Sequence, residues 1–488
     1  MTRHPLRQIL SLFLICSLTV CYAEAGVLIE NVRPITADAK VGSSTNVYVA
    51  NGRIRAIGKQ LRADKDDTRI DGKGGYLIPG LIDSHVHLQG VPGESEQLTP
   101  PLREAALAQI PRSYLYFGFT TVLDLISGDG PIARWNAQPL APRAYHCAGV
   151  PIPGGYPLAW LPKDEQLSSP TAHYYWYDPR QVELMAATPG SDAHKVEPLV
   201  ARIAETGARC IKTFYETGFG QLRDLPVPSR AMMKALIEVA HKHQLPVYVH
   251  GSSREAYDFA MDVGADLLVH GPWHGVDSTQ DKMLNELAQR VINSGIGVQP
   301  TMQVLYGERE LFNPNYFKAA RVRAAIPSAL QAWYQADAGQ WMAKQISRDF
   351  GGPDVPNLRS RVNTAYNKPL SGVQAFTRIL AERGGDLVFG SDTPSGPMFT
   401  QFPGVNGREE MDRWVEQGVS LQQLFIALTA RNAKLLGLAD ELGSVDEGKR
   451  ADLLILRENP LQSISAYDSI EWVMVKGEPV KRQALAAQ

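Results

Sequence analysis

LIPGLIDSHVHLQG, residues Leu77 to Gly90, reads as a turn followed by a strand. Pro79-Gly80 is the turn signal, and Leu81 to Leu88 is the strand. With a side-chain period of two, Asp83, His85 and His87 share one face, and Ile82, Ser84, Val86 and Leu88 share the other. A strand that turns two imidazoles the same way can grip one cation with both.

Downstream of this strand the sequence alternates. Strand patterns recur at Thr120–Ile126, Arg143–Pro151, Arg209–Tyr215, Pro246–Gly251, Asp266–Gly271, Gly295–Thr301 and Asp386–Ser391. Apolar residues at helical spacing lie between most of them, at Leu102–Phe117, Val196–Thr206, Ser229–His243, Arg254–Val263 and Gln280–Asn293. Eight strands with intervening helices predict an α/β fold, a closed (β/α)8 barrel of TIM type spanning about 78–437. Two stretches, about 152–195 and 303–369, are too long for simple strand-to-helix loops. They follow the third and seventh strands, which puts both insertions at the C-terminal mouth of the barrel. The ends have a different texture. Residues 26–77 and 438–488 read as short strands and tight turns, with Asn51-Gly52 and Lys476-Gly477 among the turns. They are expected to meet in one small flanking β-sandwich domain.

The first 25 residues stand apart. Arg3, His4 and Arg7 precede an apolar run, Ile9 to Val20, and Ala23-Glu24-Ala25 fits a small-residue cleavage site. This is a signal peptide, and it implies export to the bacterial periplasm or beyond. Leu18-Thr19-Val20-Cys21 also resembles a lipoprotein box, but the bulky Val20 ranks anchoring at Cys21 second. Cys147 and Cys210 are the cysteines outside the leader, too few for a disulfide framework, and buried thiols are the expected state. A net charge of −2 over 488 residues gives no nucleic-acid footprint, and the mature chain has no membrane span. A homo-oligomer stays open.

Potential ligands stand at the ends of the barrel strands. His85 and His87 end the first strand, Lys212 lies in the fourth, His250 ends the fifth, His270 the sixth and Asp392 the eighth. A single strand-end His or Asp is most often a helix cap or a loop anchor. Six such residues facing one mouth are better explained by metal binding. Nitrogen and oxygen donors suit Zn²⁺ or a related divalent ion.

With these residues in place the sequence resembles the amidohydrolase superfamily over nearly all of the mature chain. "PGLIDSHVH" is similar to its first-strand motif, and "GSVDEGKRADLLIL" to the strand that returns to its flanking β-domain. The resemblance implies a site for two divalent metal ions, with Zn²⁺ the first choice. His85, His87 and Asp392 would hold one ion and His250 and His270 the other. Lys212, carboxylated by CO₂, would bridge them. His250 and His270 are twenty residues apart, as in the imidazolonepropionase and prolidase-like branch. The implied reaction is hydrolysis of a carbon–nitrogen bond in a small amide or peptide-like substrate. A hydroxide between the ions would be the nucleophile, and Asp392 the general base and acid.

Tyr215 and His274 stand near the mouth by sequence and are candidates for holding a substrate carbonyl or carboxylate. Arg321 and Arg323 could clamp a carboxylate from the second insertion, although a solvated helix face explains them as well. The aromatic run His173–Tyr177 fits either a substrate wall or loop packing. Two rival functions remain: opening of a lactone or cyclic amide at the same site, and ligand binding on a decayed hydrolase scaffold. The full ligand set argues against decay.

Overall fold

The computed structural model describes residues 25–488 except 89, 179, 181–190 and 221. Residues 1–24, with Cys21 and most of the expected leader, and part of the first insertion lie outside the described residues.

The chain opens with five short strands, β1 (Val27–Pro34), β2 (Thr45–Ala50), β3 (Arg53–Ile57), β4 (Thr68–Asp71) and β5 (Tyr76–Pro79). Parallel strands follow. β6 (Leu81–Val86), β7 (Phe119–Asp124) and β8 (Arg143–His146) form one sheet. β9 (Ala148–Gly149), β10 (Ile211–Phe214), β11 (Val247–His250), β12 (Leu267–Val269) and β13 (Gly297–Gln299) form a second. Only Cys147 separates β8 from β9; its N–H donates to Asp124 O at 2.8 Å, while Ala148 N–H donates to Cys210 O at 3.0 Å.

The expected eighth strand, Asp386–Ser391, is not a regular strand. Residues 386–393 make single bridges instead, Leu387 to Val298 of β13 and Thr393 to Val86 of β6. Val388 N–H donates to Val298 O at 2.9 Å and Asp392 N–H to His85 O at 2.8 Å. The segment serves one neighbour and then the other, and Asp392 is left-handed at φ 55°, so no continuous ladder forms.

Helices fill the connections. Arg254–Val263 shows why. Ser253 caps it by accepting from Ala256 N–H, Gly264 ends it in the left-handed region at φ 79°, and Ala256, Phe259, Ala260 and Val263 are among its buried residues. The second insertion is mostly helical, with Gln303–Glu310, Ala320–Ala325, Ser328–Gln335 and Trp341–Ser347 leading into the long helix Leu358–Arg383. Arg321 does not reach the mouth from there. It pairs with Asp412 and Asp468, because the helix packs against the far end of the chain. Arg323 donates to the Lys318 carbonyl. In the aromatic run, Tyr174, Tyr175 and Trp176 are buried, which favours loop packing.

Alternation along the strands sorts side chains between cores. Ile82, Leu123, Cys147, Cys210, Tyr248, Leu267 and Val388, drawn from successive strands, pack in one cluster with Leu436 and Leu442. Their sequence neighbours Leu81, Val122, Ile211, Val247, Leu268 and Phe389 belong to the large core that includes the helices. Cys147 and Cys210 are joined as a disulfide, with Cα atoms 4.6 Å apart, which corrects the expectation of buried thiols. The reason is register: the two cysteines sit beside each other at the junction of neighbouring strands.

The chain ends return to the opening strands. β14 (Leu453–Leu456), β15 (Ile470–Val475) and β16 (Glu478–Lys481) extend one eight-stranded sheet in the order β16-β15-β14-β5-β1-β2-β3, with β4 on β1. Leu454 and Leu456 of β14 face the large core, whereas Leu453 and Ile455 pack with Val27, Val47 and Leu77 in a separate cluster. Among the described residues no helix is long and apolar enough to cross a membrane.

Candidate metal centre

His85 and His87 converge on one carboxylate. His85 Nε2 lies 3.0 Å and His87 Nε2 3.1 Å from Asp392 Oδ1. One ligand atom from each of the three residues falls within 4.8 Å of the others. Donors around one tetrahedral Zn²⁺ stand about 3.3 Å apart, given metal–ligand bonds near 2.0–2.1 Å. The two histidine-to-carboxylate spacings are close to that.

The first strand is not uniform along its length. Its pairing with β7 shifts register between Asp83 and Val86. Asp83 therefore does not stand beneath the histidines. It accepts from Ser391 N–H at 3.0 Å and from His85 N–H at 3.2 Å, and approaches Gly407 of the helix Val405–Glu416. Burial pushes its carboxyl up to about 7 against these hydrogen bonds. Asp83 anchors the segment that carries Asp392.

The remaining candidates gather beside this group. The His270 ring lies 5.4 Å from His85 and 4.5 Å from His250. His270 Nδ1 is 3.7 Å from Asp392 Oδ2 and 2.8 Å from Thr301 Oγ1. Strict alternation from Val269 would turn His270 outward, but its backbone is left-handed at φ 84°, and the ring swings back to the mouth. Lys212 is 2% exposed, and its charge acts on His85, His250 and His270 alike. Burial drives its amine down to about 7, although Asp392 pulls the other way. For Asp392, burial alone would raise the pKa, but the charge of His85 and hydrogen bonds from His85 and His87 outweigh it and hold the carboxyl well below its ordinary range.

His85 Nδ1 is buried without a hydrogen-bond partner, and His250 Nε2 has the Glu216 carboxylate 3.5 Å away. An unpaired buried imidazole nitrogen is costly, and a cation relieves the cost at a nitrogen aimed into the cluster. The donor set, imidazole nitrogens around one carboxylate, thus fits divalent metal.

Tyr215 and His274 part company. Tyr215 packs on Phe259 at 4.4 Å between centroids, turned toward the helix Arg254–Val263. His274 is half-buried at the mouth, with Nδ1 2.9 Å from Ser252 Oγ and 3.7 Å from Glu216 Oε2.

Glu216 escaped the sequence reading. It is buried, accepts from Ser252 Oγ at 2.6 Å and from Gly218 N–H at 2.9 Å, and lies 3.5 Å from His250 Nε2. Burial works to raise its pKa, yet hydrogen bonding and charge from His250, with Ser252 and His274, bring it down to about 2. A signal was present: Lys212, Phe214 and Glu216 are two residues apart, so one strand parity carries all three, while Tyr215 has the other. Asp124 was also missed. It accepts from Leu88 and Ile126 N–H, both at 2.9 Å, and lies 3.8 Å from His87 Nδ1, where it can orient the ring. Tyr156, from the first insertion, stacks on His250 at 4.6 Å.

The Amidohydrolase family profile matches residues 355–481. A deacetylase of Agrobacterium fabrum is 39% identical over 67 residues, which cover 13% of this chain and 16% of the relative. Urease subunit alpha 2 of Streptomyces coelicolor is 24% identical over 450 residues, 88% of this chain and 65% of the relative. The chain thus spans less than two thirds of these relatives. A crystal structure of a Xaa-Pro dipeptidase with methionine in its active site superposes with a TM-score of 0.64 at 20% identity, over 94% of this chain and 100% of the other. At that identity the likeness concerns the fold. Residues 355–481 thus resemble the amidohydrolase family, and the fold is shared with a known hydrolase.

Proposed function

We propose that this protein is an exported, binuclear metal-dependent hydrolase of carbon–nitrogen bonds in small amide or peptide-like substrates. The observation that carries the reading is the convergence of His85, His87 and Asp392, with one ligand atom from each inside 4.8 Å. These three would hold one divalent ion, Zn²⁺ by preference, and His250 and His270 a second. Lys212 as a carbamate would bridge them, and an amine buried among four ligands is suited to leave its cationic form and take up CO₂. The bound metal would supply a nucleophile at neutral pH and polarise the scissile carbonyl. Asp392 would take the proton of the attacking water as the C–O bond forms, then pass it to the amine nitrogen as the C–N bond breaks. His274, at the rim of the same mouth, can hold the substrate.

The same reading treats the strands β6 to β13, with β8 and β9 as one interrupted strand, and residues 386–393 as the eight strands of a closed (β/α)8 barrel of about 78–437. The sheet from residues 26–77 and 438–488 would be its flanking sandwich domain. Export is supported by the leader sequence and by the Cys147–Cys210 disulfide, a bond that persists in oxidising compartments.

The deciding experiment measures metal content and hydrolysis on a panel of dipeptides, N-acyl amino acids and lactones. About two metal ions per chain and metal-dependent cleavage of amides are expected. Cleavage of lactones alone would move the assignment to ester ring opening. A metal-free protein that binds but does not turn over any of them would overturn it.

A further inference from the structure

Resting on the amide-hydrolase reading, we infer that the substrate carries a flat aromatic group, received on the His250 and His274 side of the mouth by Tyr156, Phe219 and Trp160. Tyr156 stacks on His250 with centroids 4.6 Å apart and planes 28° apart. Phe219 lies 5.8 Å from Tyr156 and 5.6 Å from His274. Trp160 follows at 5.4 Å from Phe219. Each separation is within the range in which aromatic rings attract one another beyond simple burial. The rings form a continuous face from a buried candidate ligand out to solvent.

Its outer end is 49% exposed at Trp160. An indole left that open beside a second ring is an unfilled stacking surface, and aromatic anchors of this kind are what binding sites present. The face is assembled from two separate segments. Tyr156 and Trp160 come from the insertion after β9, and Phe219 from the tail after β10. Trp160 and Phe219 touch each other, so an aromatic group would lie against their open side, with its attached amide directed along the rings toward His274 and His250. A planar π-face can meet Trp160 and Phe219 by offset or edge-to-face stacking, which a cyclohexyl group of similar volume cannot do.

The test uses the mature chain and two series. One is N-benzoyl-, N-cyclohexanecarbonyl- and N-acetylglycine; the other is the benzylamide, cyclohexylmethylamide and methylamide of acetic acid. In at least one series the phenyl compound should exceed its cyclohexyl counterpart by about tenfold in kcat/KM, the scale expected of two added ring contacts. Trp160→Ala and, separately, Phe219→Leu should bring that ratio to within about threefold. The exposed position of Trp160 lets its variant fold, and the melting temperature checks this. A ratio near one in both series, or a ratio that neither variant changes, overturns the inference. If no compound is hydrolysed, the hydrolase reading falls by itself. Calorimetric binding of the same compounds then decides: phenyl over cyclohexyl preference lost in Trp160→Ala supports the aromatic subsite, and no preference overturns it.

Discussion

Asp392 is asked to do two things, hold an ion and move a proton, and its surroundings serve both. Its backbone is left-handed at φ 55°, and its amide donates to the His85 carbonyl, so its carboxylate is delivered to His85 and His87 by a strained turn. Asp392→Asn keeps the size and one coordinating oxygen but removes the base. Metal analysis of this variant should find much of the metal retained, while turnover falls by about two decades or more. Full metal with near-normal turnover would make His274 the base to examine next. The supporting residues follow the same logic. Asp124 behind His87 Nδ1 fixes a ring whose Nε2 meets Asp392, and Thr301 holds the His270 ring through Nδ1.

At the scale of elements, the helix Val405–Glu416 is locked to the chain end by charge. Arg408 is fully buried, and it pairs with Asp412 on its own helix and with Asp468; Arg321 of the second insertion pairs with both carboxylates. Burial works to raise the Asp468 pKa, but the hydrogen bond from Arg321 and the charge of Arg408 hold it below the ordinary value. A carboxyl with a depressed folded pKa adds stability above its unfolded pKa and loses it as pH falls through the folded one. Asp468→Asn should therefore cost about 1–3 kcal/mol at neutral pH, less than a wholly buried pair because the carboxylate is partly exposed. Thermal melting across pH provides the check. The gap between wild type and variant should close in acid, and a gap independent of pH would show that packing alone is at stake.

For the molecule as a whole, the seam between β5 and β14 joins the two chain ends and backs onto the parallel strands. Leu454 is wholly buried in the large core, and a Cβ on Gly118 would meet its side chain. Leu454→Ala removes that contact and leaves a cavity, at a cost of about 2–5 kcal/mol. A lower melting temperature with unchanged metal content in the folded protein is expected. Loss of metal at permissive temperature would instead show that the sheet directly shapes the metal centre. The alternation that places Leu454 and Leu456 on one core and Leu453 and Ile455 on another follows from period two, a local property of a strand.

The same locality explains what the sequence by itself determined: the succession of parallel strands and helices, the strand texture of both ends, and the residues His85, His87, Lys212, His250, His270 and Asp392 that the structure brings together. Strand parity and the position of a residue at a strand's end follow from a few neighbours along the chain. Tertiary structure alone decided the rest. The register shift beside Asp83, the bridging path of residues 386–393 and the pairing of Cys147 with Cys210 depend on which strand lies alongside. The left-handed backbones at His270 and Asp392 are held by contacts from distant segments, and they turn side chains where alternation would not. Arg321 found its carboxylates some 90 and 150 residues away. Charge and backbone strain are settled by partners remote in sequence, and only folding brings those partners within reach.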